Sequence, residues 1–230
     1  MTENMSAAGH SPPQFGAPRV FLDLDGTLVD PAEGIIGSIR HALAEVGADV
    51  PAAQALGWCI GPPLHESLAK LAGDEAKGAT GLEIYRARYQ AGAMYLATVY
   101  PGIPEALAEM RGRGWRLFLA TSKPIVYACE ITARFGLSTY LEAEYGSELD
   151  GTRAAKTDLL AHALAGTGQG PAVMIGDRRH DVIGAKANGL AVVGAAWGYG
   201  GAEELSAAGA DTVIADPTAM ITAVEALLDT

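Results

Sequence analysis

The sequence predicts an α/β protein with a three-layer core, built around a parallel sheet, and an all-helical domain inserted into that core. Two observations predict this arrangement. Short segments rich in Val, Ile and Leu alternate along most of the chain with segments in which apolar residues recur at helical spacing. Such alternation is typical of parallel strands joined by right-handed helical crossovers. The alternation stops between residues 32 and 99, where helical patterns occur without a convincing strand.

The predicted core contains five apolar strands and a weaker sixth strand near Glu144. The five strands cover residues 20–24, 117–121, 172–176, 191–195 and 212–215. Helical patterns separate or follow them at residues 104–114, 123–136, 154–166, 181–189 and 217–229. Several of these helices end at a glycine, which is common just beyond a helix C-terminus. We therefore expect residues 18–31 and 100–230 to form one core domain.

The interval at residues 32–99 is expected to form a helical cap domain. Its first helix has a strong start signal, with Asp30 at the N-cap, Pro31 at the first helical position and Glu33 completing a capping box. Two further helical patterns follow, and the segment "YPGIP" at residues 100–104 is expected to return the chain to the core, because proline and glycine stop a helix there.

The composition of the chain limits its partners and its compartment. A formal net charge of −11 argues against non-specific binding to nucleic acid or to anionic lipid. No apolar run approaches the length of a membrane span, and residues 1–17 lack the pattern of a signal peptide, so we expect a disordered leader there. Two cysteines without metal-ligand spacing fit a reducing cytoplasm. A monomer and a homodimer are both open.

The segment "DLDGT" at residues 23–27 places two carboxylates one residue apart, at the end of the first predicted strand. Side chains alternate along a strand, so Asp23 and Asp25 are expected to point to the same side. Gly26 permits the chain to turn, and Thr27 can hold that turn by a hydrogen bond. The ordinary interpretation is a turn rich in aspartate, and the alternative is a site in which both acids share a cation.

Magnesium-dependent phosphoryl chemistry fits this pair of acids better than a turn alone. Two carboxylates this close are both ionised at little cost only beside a cation, and Mg²⁺ binds carboxylate and phosphate oxygens together. One aspartate is a competent nucleophile toward phosphorus, while a second can protonate the leaving group and later activate water. The pair therefore favours a phosphate ester as the substrate.

Polar groups also follow two later strands. Thr121 and Ser122 end the second strand, where a hydroxyl and the N–H groups of a helix start can bind phosphate. Asp177 ends the third strand, and Asp181 follows in the first turn of a helix, so that one acid can bind a metal directly and the other through water. For Thr121 alone an ordinary helix cap is the better interpretation, whereas for Asp177 and Asp181 alone capping and metal binding are equally good interpretations.

A basic residue near these groups would neutralise the charge of phosphate and carboxylates. Lys156 lies near the start of a helix between the second and third strands, and Lys123 and Arg153 are rival candidates. A single lysine is most often a solvated surface group. Its assignment to the site therefore depends on the other segments, which occur in order, each at or just after a strand or a helix start.

Together these segments resemble the motifs of the haloacid dehalogenase-like superfamily of phosphohydrolases. "DLDGT" is similar to its first motif, "ATS" at residues 120–122 to its second, Lys156 to its third, and "GDRRHD" at residues 176–181 to its fourth. The resemblance extends from Arg19 to the C-terminal helix. It implies a Rossmann-like core, and the helical interval lies where one subclass of the superfamily carries its cap domain.

The resemblance also implies a role for each residue of the site. Asp23 would be the nucleophile and Asp25 the general acid and base, while Thr121 and Lys156 would hold the transferred phosphoryl group. The implied ligands of Mg²⁺ are Asp23, the backbone carbonyl of Leu24, Asp25, Asp177 and Asp181. The implied substrate contacts in the core are Gly26, Thr27, Ser122 and Lys123.

Comparison of these motifs with individual groups of the superfamily reduces the number of candidate activities. True haloacid dehalogenases lack the second aspartate of the first motif, so Asp25 argues against dehalogenation. The segments "IGPPL", "TSKP" and "AAWGYG" resemble the phosphoglycolate phosphatase-like group, which includes 5′-nucleotidases. By that resemblance a cap loop would face the substrate through Gly61, Pro62 and His65. Trp197 and Tyr199 either border the cleft or pack beside it, and the cap tyrosines Tyr85, Tyr89 and Tyr95 are expected in the cap interior.

The sequence as a whole predicts a magnesium-dependent phosphatase that hydrolyses a small phosphorylated metabolite through an aspartyl-phosphate intermediate. Phosphoglycolate, a nucleoside monophosphate and a sugar phosphate are all open as substrates, since they offer the same group to the core. One alternative is a phosphotransferase of the β-phosphoglucomutase type, which the missing Arg-Gly pair of the cap disfavours. The other is a regulatory module that binds phosphate without turnover. No nucleic-acid or membrane partner is expected.

Overall fold

The computed structural model describes residues 16–228, so most of the predicted leader lies outside the described residues. The strands within this range are β1 (Arg19–Leu22), β2 (Val29–Asp30), β3 (Thr98–Val99), β4 (Arg116–Pro124), β5 (Ala143–Ser147), β6 (Ala172–Gly176), β7 (Ala191–Ala195) and β8 (Thr212–Ile214). The helices are α1 (Ala32–Glu45), α2 (Leu64–Ala72), α3 (Glu75–Gln90), α4 (Ile103–Gly112), α5 (Ile125–Arg134), α6 (Lys156–Gly166), α7 (Arg179–Ala187), α8 (Gly201–Ala207) and α9 (Met220–Leu228).

Six strands form one parallel sheet in the order β5-β4-β1-β6-β7-β8. Alternate residues of β1 face opposite sides, because successive side chains of a strand point to opposite faces. Val20 and Leu22 belong to the apolar core that includes residues of α4, α5 and α9, whereas Phe21 belongs to the core formed with α6, α7 and α8. The rings of Phe21 and Phe118 stack across β1 and β4 with centroids 5.3 Å apart. The predicted three-layer α/β core is therefore confirmed.

The predicted strands are all present, with differences at their ends. β1 ends at Leu22 instead of residue 24, although the Asp23 N–H still donates to the Ile175 carbonyl at 3.0 Å. β4 continues to Pro124 and displaces the start of α5 to Ile125. Sequence reasoning missed α8, a seven-residue helix whose single fully buried residue is Leu205. Helical periodicity is recognised from several apolar residues at regular spacing, so a single buried residue does not indicate a helix.

The chain between β2 and β3, residues 31–97, carries α1, α2 and α3, and we call it the helical insert. β2 and β3 form an antiparallel two-stranded ribbon in which Val29 pairs with Val99 and Asp30 with Thr98. The expectation that residues 32–99 hold no strand is therefore wrong for β3, which was too short to show a pattern. The ribbon lies at both proposed boundaries of the cap domain, and the division of the chain into two domains stays a prediction.

The first turn of α1 differs from its expected capping. Pro31 occupies the N-cap position and Ala32 is the first helical residue, so the predicted capping box of Glu33 with an N-cap at Asp30 is wrong. Asp30 still satisfies a free donor, because its Oδ1 accepts the N–H of Ala32 at 3.0 Å. The helix begins one residue later than predicted, and its capping carboxylate lies just outside it.

The tyrosines of the insert have different environments. Tyr85 and Tyr89 are buried on α3, and their rings stack with centroids 5.2 Å apart, as expected for interior residues. Tyr95 is only half-buried, and its hydroxyl donates to Glu130 of α5 at 3.0 Å. The expectation that Tyr95 packs inside the insert is therefore wrong, since it links the insert to the core surface. Between residues 16 and 228 the structure contains no helix with the length and apolar character needed to cross a bilayer.

The contact between α2 and α3 yields a test of the insert. A Cβ on Gly78 of α3 would lie 2.6 Å from the Cα of Ala69, whereas a Cβ on Gly37 of α1 would meet no atom within 4 Å. Gly78→Ala should lower the free energy of unfolding by about 1–3 kcal/mol, because the two backbones must move apart. Gly37→Ala is the matched control and should raise it by about 0.5–1 kcal/mol through helix propensity. Urea denaturation measures both, and an equal gain in the two variants would contradict this packing.

Candidate active site

The candidate site lies at the carboxyl edge of the parallel sheet, where the strand ends converge. Asp23 follows β1, Thr121 lies near the end of β4 and Asp177 follows β6, and all three are buried. Lys156 is the first residue of α6, and Asp181 lies in the first turn of α7. The topology thus gathers residues from four separate segments of the chain into one small region.

Asp23, Asp177 and Asp181 form a buried acidic trio. One carboxylate oxygen from each lies within 4.8 Å of the others. The Lys156 ammonium lies 3.0 Å from Oδ1 of Asp23 and 2.7 Å from Oδ1 of Asp181, and it donates to the carbonyl of Ala120 at 2.8 Å. One lysine therefore contacts two of the three acids, so the positive charge in direct contact is smaller than the negative charge of the trio.

Burial and mutual repulsion shift the pKa values of this group. Burial raises the pKa of Asp177 well above its usual range, and the neighbouring carboxyls of Asp181 and Asp23 raise it further. Burial also raises the pKa of Asp181 to about 6, although Lys156 opposes the shift. For Lys156, burial alone would lower the pKa, but the carboxylates of Asp181 and Asp23 outweigh burial and raise it. The trio is thus poorly neutralised by the protein itself.

The trio fits a hard divalent cation such as Mg²⁺. Its three converging carboxylates provide the oxygen ligands that Mg²⁺ prefers, and a bound cation would offset the charge that Lys156 leaves uncompensated. A substrate phosphate oxygen could share such an ion, because Mg²⁺ commonly bridges carboxylate and phosphate. The residues present are therefore suited to Mg²⁺, and Asp23, Asp177 and Asp181 would hold it.

The predicted ligands Leu24 and Asp25 are not part of this arrangement. The carbonyl of Leu24 accepts the N–H groups of Thr27, Leu28 and Val29 at 3.3, 2.9 and 3.0 Å, so the turn after β1 occupies its lone pairs. These hydrogen bonds argue against this carbonyl as a metal ligand, and its assignment to the metal stays a prediction. The carboxylate of Asp25 forms an ion pair with Lys123 and lies outside the acidic trio.

Gly26 and Thr27 support Asp177 instead of facing the substrate cavity, which corrects their predicted role. Gly26 has a φ of +83°, and a Cβ there would overlap the Asp177 carboxylate. Thr27 is fully buried, and its hydroxyl donates to Oδ1 of Asp177 at 3.4 Å. The tight turn brings both residues beneath the acid. The alternation of side chains along a strand does not predict the direction of residues 26 and 27, because β1 ends at Leu22.

Asp25 and Lys123 form a second charged pair on the cavity wall. The side chains are nearly buried, and the ammonium of Lys123 also lies 5.2 Å from the ring centroid of Tyr89 in the insert. Burial raises the pKa of Asp25, and Lys123 opposes that shift in part. Oδ1 of Asp25 is buried and has no hydrogen-bond partner among the described residues. An acid with a raised pKa and an unpaired oxygen is suited to proton transfer.

A cavity of about 450 Å³ extends from these acids to the helical insert. Its core wall includes Asp23, Asp25, Thr121, Ser122 and Lys123. The Thr121 hydroxyl accepts the N–H of Lys123 at 3.3 Å, which fixes the loop after the buried part of β4. The predicted core residues that meet at the cavity are therefore these five. Lys156 lies behind them and touches Asp23.

The insert closes the other side of the cavity. The predicted loop residues Gly61, Pro62 and His65 all line it, although the His65 side chain is 65% exposed and lies at the rim. Leu64, the last residue of the loop expected to face the substrate, lines it too. Sequence reasoning missed other lining residues, among them Ile35, Leu82 and Arg86 of the insert and Tyr127 of α5. An apolar or aromatic residue is typical of any packed helix and a single arginine is typical of a helix surface, so nothing in the sequence distinguished them.

The remaining candidates have structural contacts. The Trp197 indole donates to the Thr27 carbonyl at 3.1 Å, and the Tyr199 N–H donates to Oδ2 of Asp177 at 2.8 Å. The Tyr199 hydroxyl donates to Asp30 at the ribbon. Neither aromatic residue lines the cavity, so of the two expectations for them, packing beside the site is the one observed. Arg153, a rival for the cation, pairs with Glu148 at the surface.

Comparison with known proteins agrees with this geometry. Residues 20–195 match the sequence profile described as "Haloacid dehalogenase-like hydrolase", and this match covers most of the chain. The chain belongs to the haloacid dehalogenase-like hydrolases. The predicted resemblance is therefore confirmed, and the segments of the first, second and fourth motifs lie within the matched range, as does Lys156.

Three curated relatives of this haloacid dehalogenase-like hydrolase carry different names. A 5′-nucleotidase of Pseudomonas aeruginosa is 45% identical over 193 residues, covering 83% of this chain and 87% of the relative. The tyrosine-protein kinase PtkA of Mycobacterium tuberculosis is 43% identical and covers 86% of this chain and 67% of the relative. A phosphoglycolate phosphatase of Cupriavidus necator is 30% identical, and the match covers 85% of this chain and 87% of the relative.

A solved structure shares the whole architecture. The crystal structure of a "predicted phosphatase" from Clostridium acetobutylicum superposes with a TM-score of 0.86 at 35% identity, covering 92% of this chain and 100% of that one. Such agreement over nearly the full length includes the sheet, the helices around it and the helical insert. The fold of this haloacid dehalogenase-like hydrolase is therefore that of a known phosphatase-named structure.

The acidic trio yields a test that links stability to metal binding. Because the folded-state pKa of Asp177 lies above its unfolded value, this acid destabilises the metal-free hydrolase increasingly as the pH rises from the unfolded pKa to the folded one. Asp177→Asn should therefore raise the free energy of unfolding in EDTA at pH 7 by about 1–3 kcal/mol, and by less at pH 5. The same variant should lose the stabilisation that Mg²⁺ gives the wild type.

Denaturation with and without Mg²⁺ at both pH values measures these effects in one series. Asp158→Asn on the exposed side of α6 is a suitable control, because it removes a carboxylate outside the trio. A loss of stability in EDTA together with retained Mg²⁺ stabilisation in Asp177→Asn would contradict the assignment of Asp177 to the cation site.

Proposed function

We propose that the chain is a magnesium-dependent phosphatase that hydrolyses a phosphate monoester with a large, uncharged leaving group. The preferred candidate substrate is a nucleoside 5′-monophosphate. The observation that carries this proposal is the cavity of about 450 Å³, which begins at Asp23 and Asp25 and ends between apolar side chains of the insert. Sites of about 300–1,000 Å³ are typical of ligands much larger than glycolate. The phosphate end and the leaving-group end are thus distinct.

The phosphate end supports an aspartyl-phosphate mechanism. Asp23 lies at the cavity wall, and its carboxylate would attack phosphorus, forming an acyl phosphate while the ester P–O bond breaks. The Lys156 ammonium lies 3.0 Å from Oδ1 of Asp23 and orients this carboxylate. When bound, Mg²⁺ would offset negative charge on the phosphoryl oxygens as they approach the trio. The Thr121 hydroxyl lies on the same wall and can donate to a phosphoryl oxygen.

Asp25 is placed for the proton transfers. Burial raises its pKa, so that it takes up a proton more readily than an exposed aspartate, and the protonated acid would give this proton to the departing alkoxide. The resulting carboxylate would then take a proton from the water that attacks phosphorus in the acyl phosphate, which releases inorganic phosphate and restores both aspartates. The ion pair with Lys123 stabilises the carboxylate between the two steps.

The leaving-group end favours an apolar, planar alcohol. Its walls include Ile35, Leu64, Leu82, Tyr85 and Tyr127, which offer aromatic and aliphatic surface. Glu148 and Asp150 stand at the same cavity and disfavour a second negative charge such as the carboxylate of phosphoglycolate. The name of the 45% identical relative, a 5′-nucleotidase, supports this choice over that of the 30% identical phosphoglycolate phosphatase.

Activity assays test the mechanism directly. The purified protein should release phosphate from p-nitrophenyl phosphate and from 5′-AMP with Mg²⁺ and not with EDTA. Asp23→Asn should lower kcat by about 10³-fold or more without loss of folding, because the nucleophile is removed. Asp158→Asn should keep wild-type activity, since that acid is exposed on α6 away from the cavity.

Three results would overturn this mechanism. Isomerisation of glucose phosphates without net phosphate release would assign the chain to phosphotransfer. Binding of Mg²⁺ with no turnover across a broad panel of esters would leave a regulatory phosphate-binding module. Full activity of Asp23→Asn would exclude the aspartyl-phosphate route in either enzyme.

Narrowing the leaving-group end tests the substrate class. Leu82 lies on α3 at the cavity, whereas Ala79 lies on the same helix and is exposed. Leu82→Trp should lower kcat/KM for 5′-AMP roughly tenfold, because the added ring occupies space that the nucleoside needs, and should affect phosphoglycolate less. Ala79→Trp is the matched control and should change neither. The panel should include phosphotyrosine, and a kcat/KM highest for phosphotyrosine or phosphoglycolate would contradict a nucleotide substrate.

A further inference from the structure

Arg178 is a buried arginine whose role the proposed mechanism leaves open. It lies in "GDRRHD" between Asp177 and the first residue of α7, and its side chain is 9% exposed. Its neighbour Arg179 is exposed, as most arginines are. A guanidinium is rarely buried without several partners, so the contacts of Arg178 identify what it organises.

Arg178 makes three contacts with three different parts of the molecule. Its Nη1 donates to the carbonyl of Ile60 in the insert, and its Nε donates to Oε1 of Glu204 on α8 at 3.0 Å. Its backbone N–H donates to Oδ2 of Asp181 at 3.0 Å. A single residue therefore joins a carboxylate of the acidic trio to the insert, with α8 holding the side chain in place.

The loop that Arg178 holds is part of the cavity wall. Residues 60–63 connect a short helical turn to α2, and Gly61, Pro62 and Pro63 line the cavity. Gly61 has a φ of +107°, and a Cβ there would lie 3.0 Å from the Cγ of Arg178. The loop backbone thus lies directly against the arginine side chain, where the left-handed conformation favours glycine.

We propose that Arg178 is a positioning residue that seats loop 60–63 of the insert against the core, and so sets the shape of the leaving-group end of the cavity. The planar guanidinium donates in two directions at once, to Ile60 and to Glu204, which the single ammonium of lysine cannot reproduce. The proposal rests on the proposed function for its kinetic consequence, but not for the contact itself.

Hydrogen exchange tests the contact without any substrate. The amides of Cys59 and Ile60 are hydrogen-bonded within the turn that precedes the loop, so they report its opening. Arg178→Met should increase their exchange about tenfold or more, because a charged hydrogen bond to the Ile60 carbonyl is lost. Arg178→Lys should give an intermediate rate, and Arg179→Met should match the wild type.

Kinetics then separates a positioning role from a role in the metal site. In Arg178→Met, KM for the best-hydrolysed ester should rise about tenfold, while the inhibition constant of inorganic phosphate and the affinity for Mg²⁺ should change less than about twofold. Phosphate and Mg²⁺ use core residues alone, whereas the ester also needs the loop. A loss of Mg²⁺ affinity as large as the rise in KM would overturn the proposal and assign Arg178 to Asp181.

Two exchange results would also overturn it. Unchanged exchange of Cys59 and Ile60 in Arg178→Met would show that the arginine does not hold the loop. Equal loss of protection in the strands of the sheet would make Arg178 a general stabiliser of the core. If the wild type hydrolyses no ester, the proposed function fails, and the exchange rates still decide whether Arg178 positions the loop.

Discussion

The candidate site depends on the repulsion among three buried carboxylates, of which one lysine contacts only two. Burial raises the pKa values of Asp177 and Asp181, because the interior cannot solvate their charges. Lys156 contacts Asp23 and Asp181 and offsets part of this charge. A group of this kind is costly in a protein without a ligand, and a divalent cation held by the three carboxylates would relieve the repulsion. The acidic trio therefore lowers the stability of the metal-free protein, which is a common consequence of placing charged groups in an active site.

Close backbone approach makes room for these acids. A Cβ on Gly26 or Gly198 would overlap the side chain of Asp177, and a Cβ on Gly176 would overlap Asp181. Hydrogen bonds from Thr27 and the Tyr199 N–H then orient Asp177. The loops after β1 and β7 therefore form a cradle around the carboxylate that follows β6. The edge of a parallel sheet suits this arrangement, since neighbouring strand ends lie side by side.

Sequence reasoning identified the sheet and the acids, because apolar alternation and short motifs are local signals. It failed where long-range packing decides the outcome. Gly26 and Thr27 face Asp177 instead of the substrate. Arg178 contacts Ile60, which lies 118 residues away in the chain, and no local pattern indicates such a pair. The helix α8 was not predicted, because its single buried leucine produces no apolar periodicity in the sequence.

The core and the insert contribute different parts of the cavity wall. The core supplies groups that recognise any phosphate monoester, so relatives with different names can share it. In the proposed function the apolar side chains of the insert select the leaving group, and two of the contacts between insert and core involve charged residues beside the acids. Lys123 lies between Asp25 and the Tyr89 ring, and Arg178 lies between Asp181 and Ile60. Since each contact includes a residue beside the reacting phosphate, a substrate that fits the insert poorly would disturb the proton donor or the loop. The proposed function therefore implies that specificity and catalysis are coupled through these two side chains.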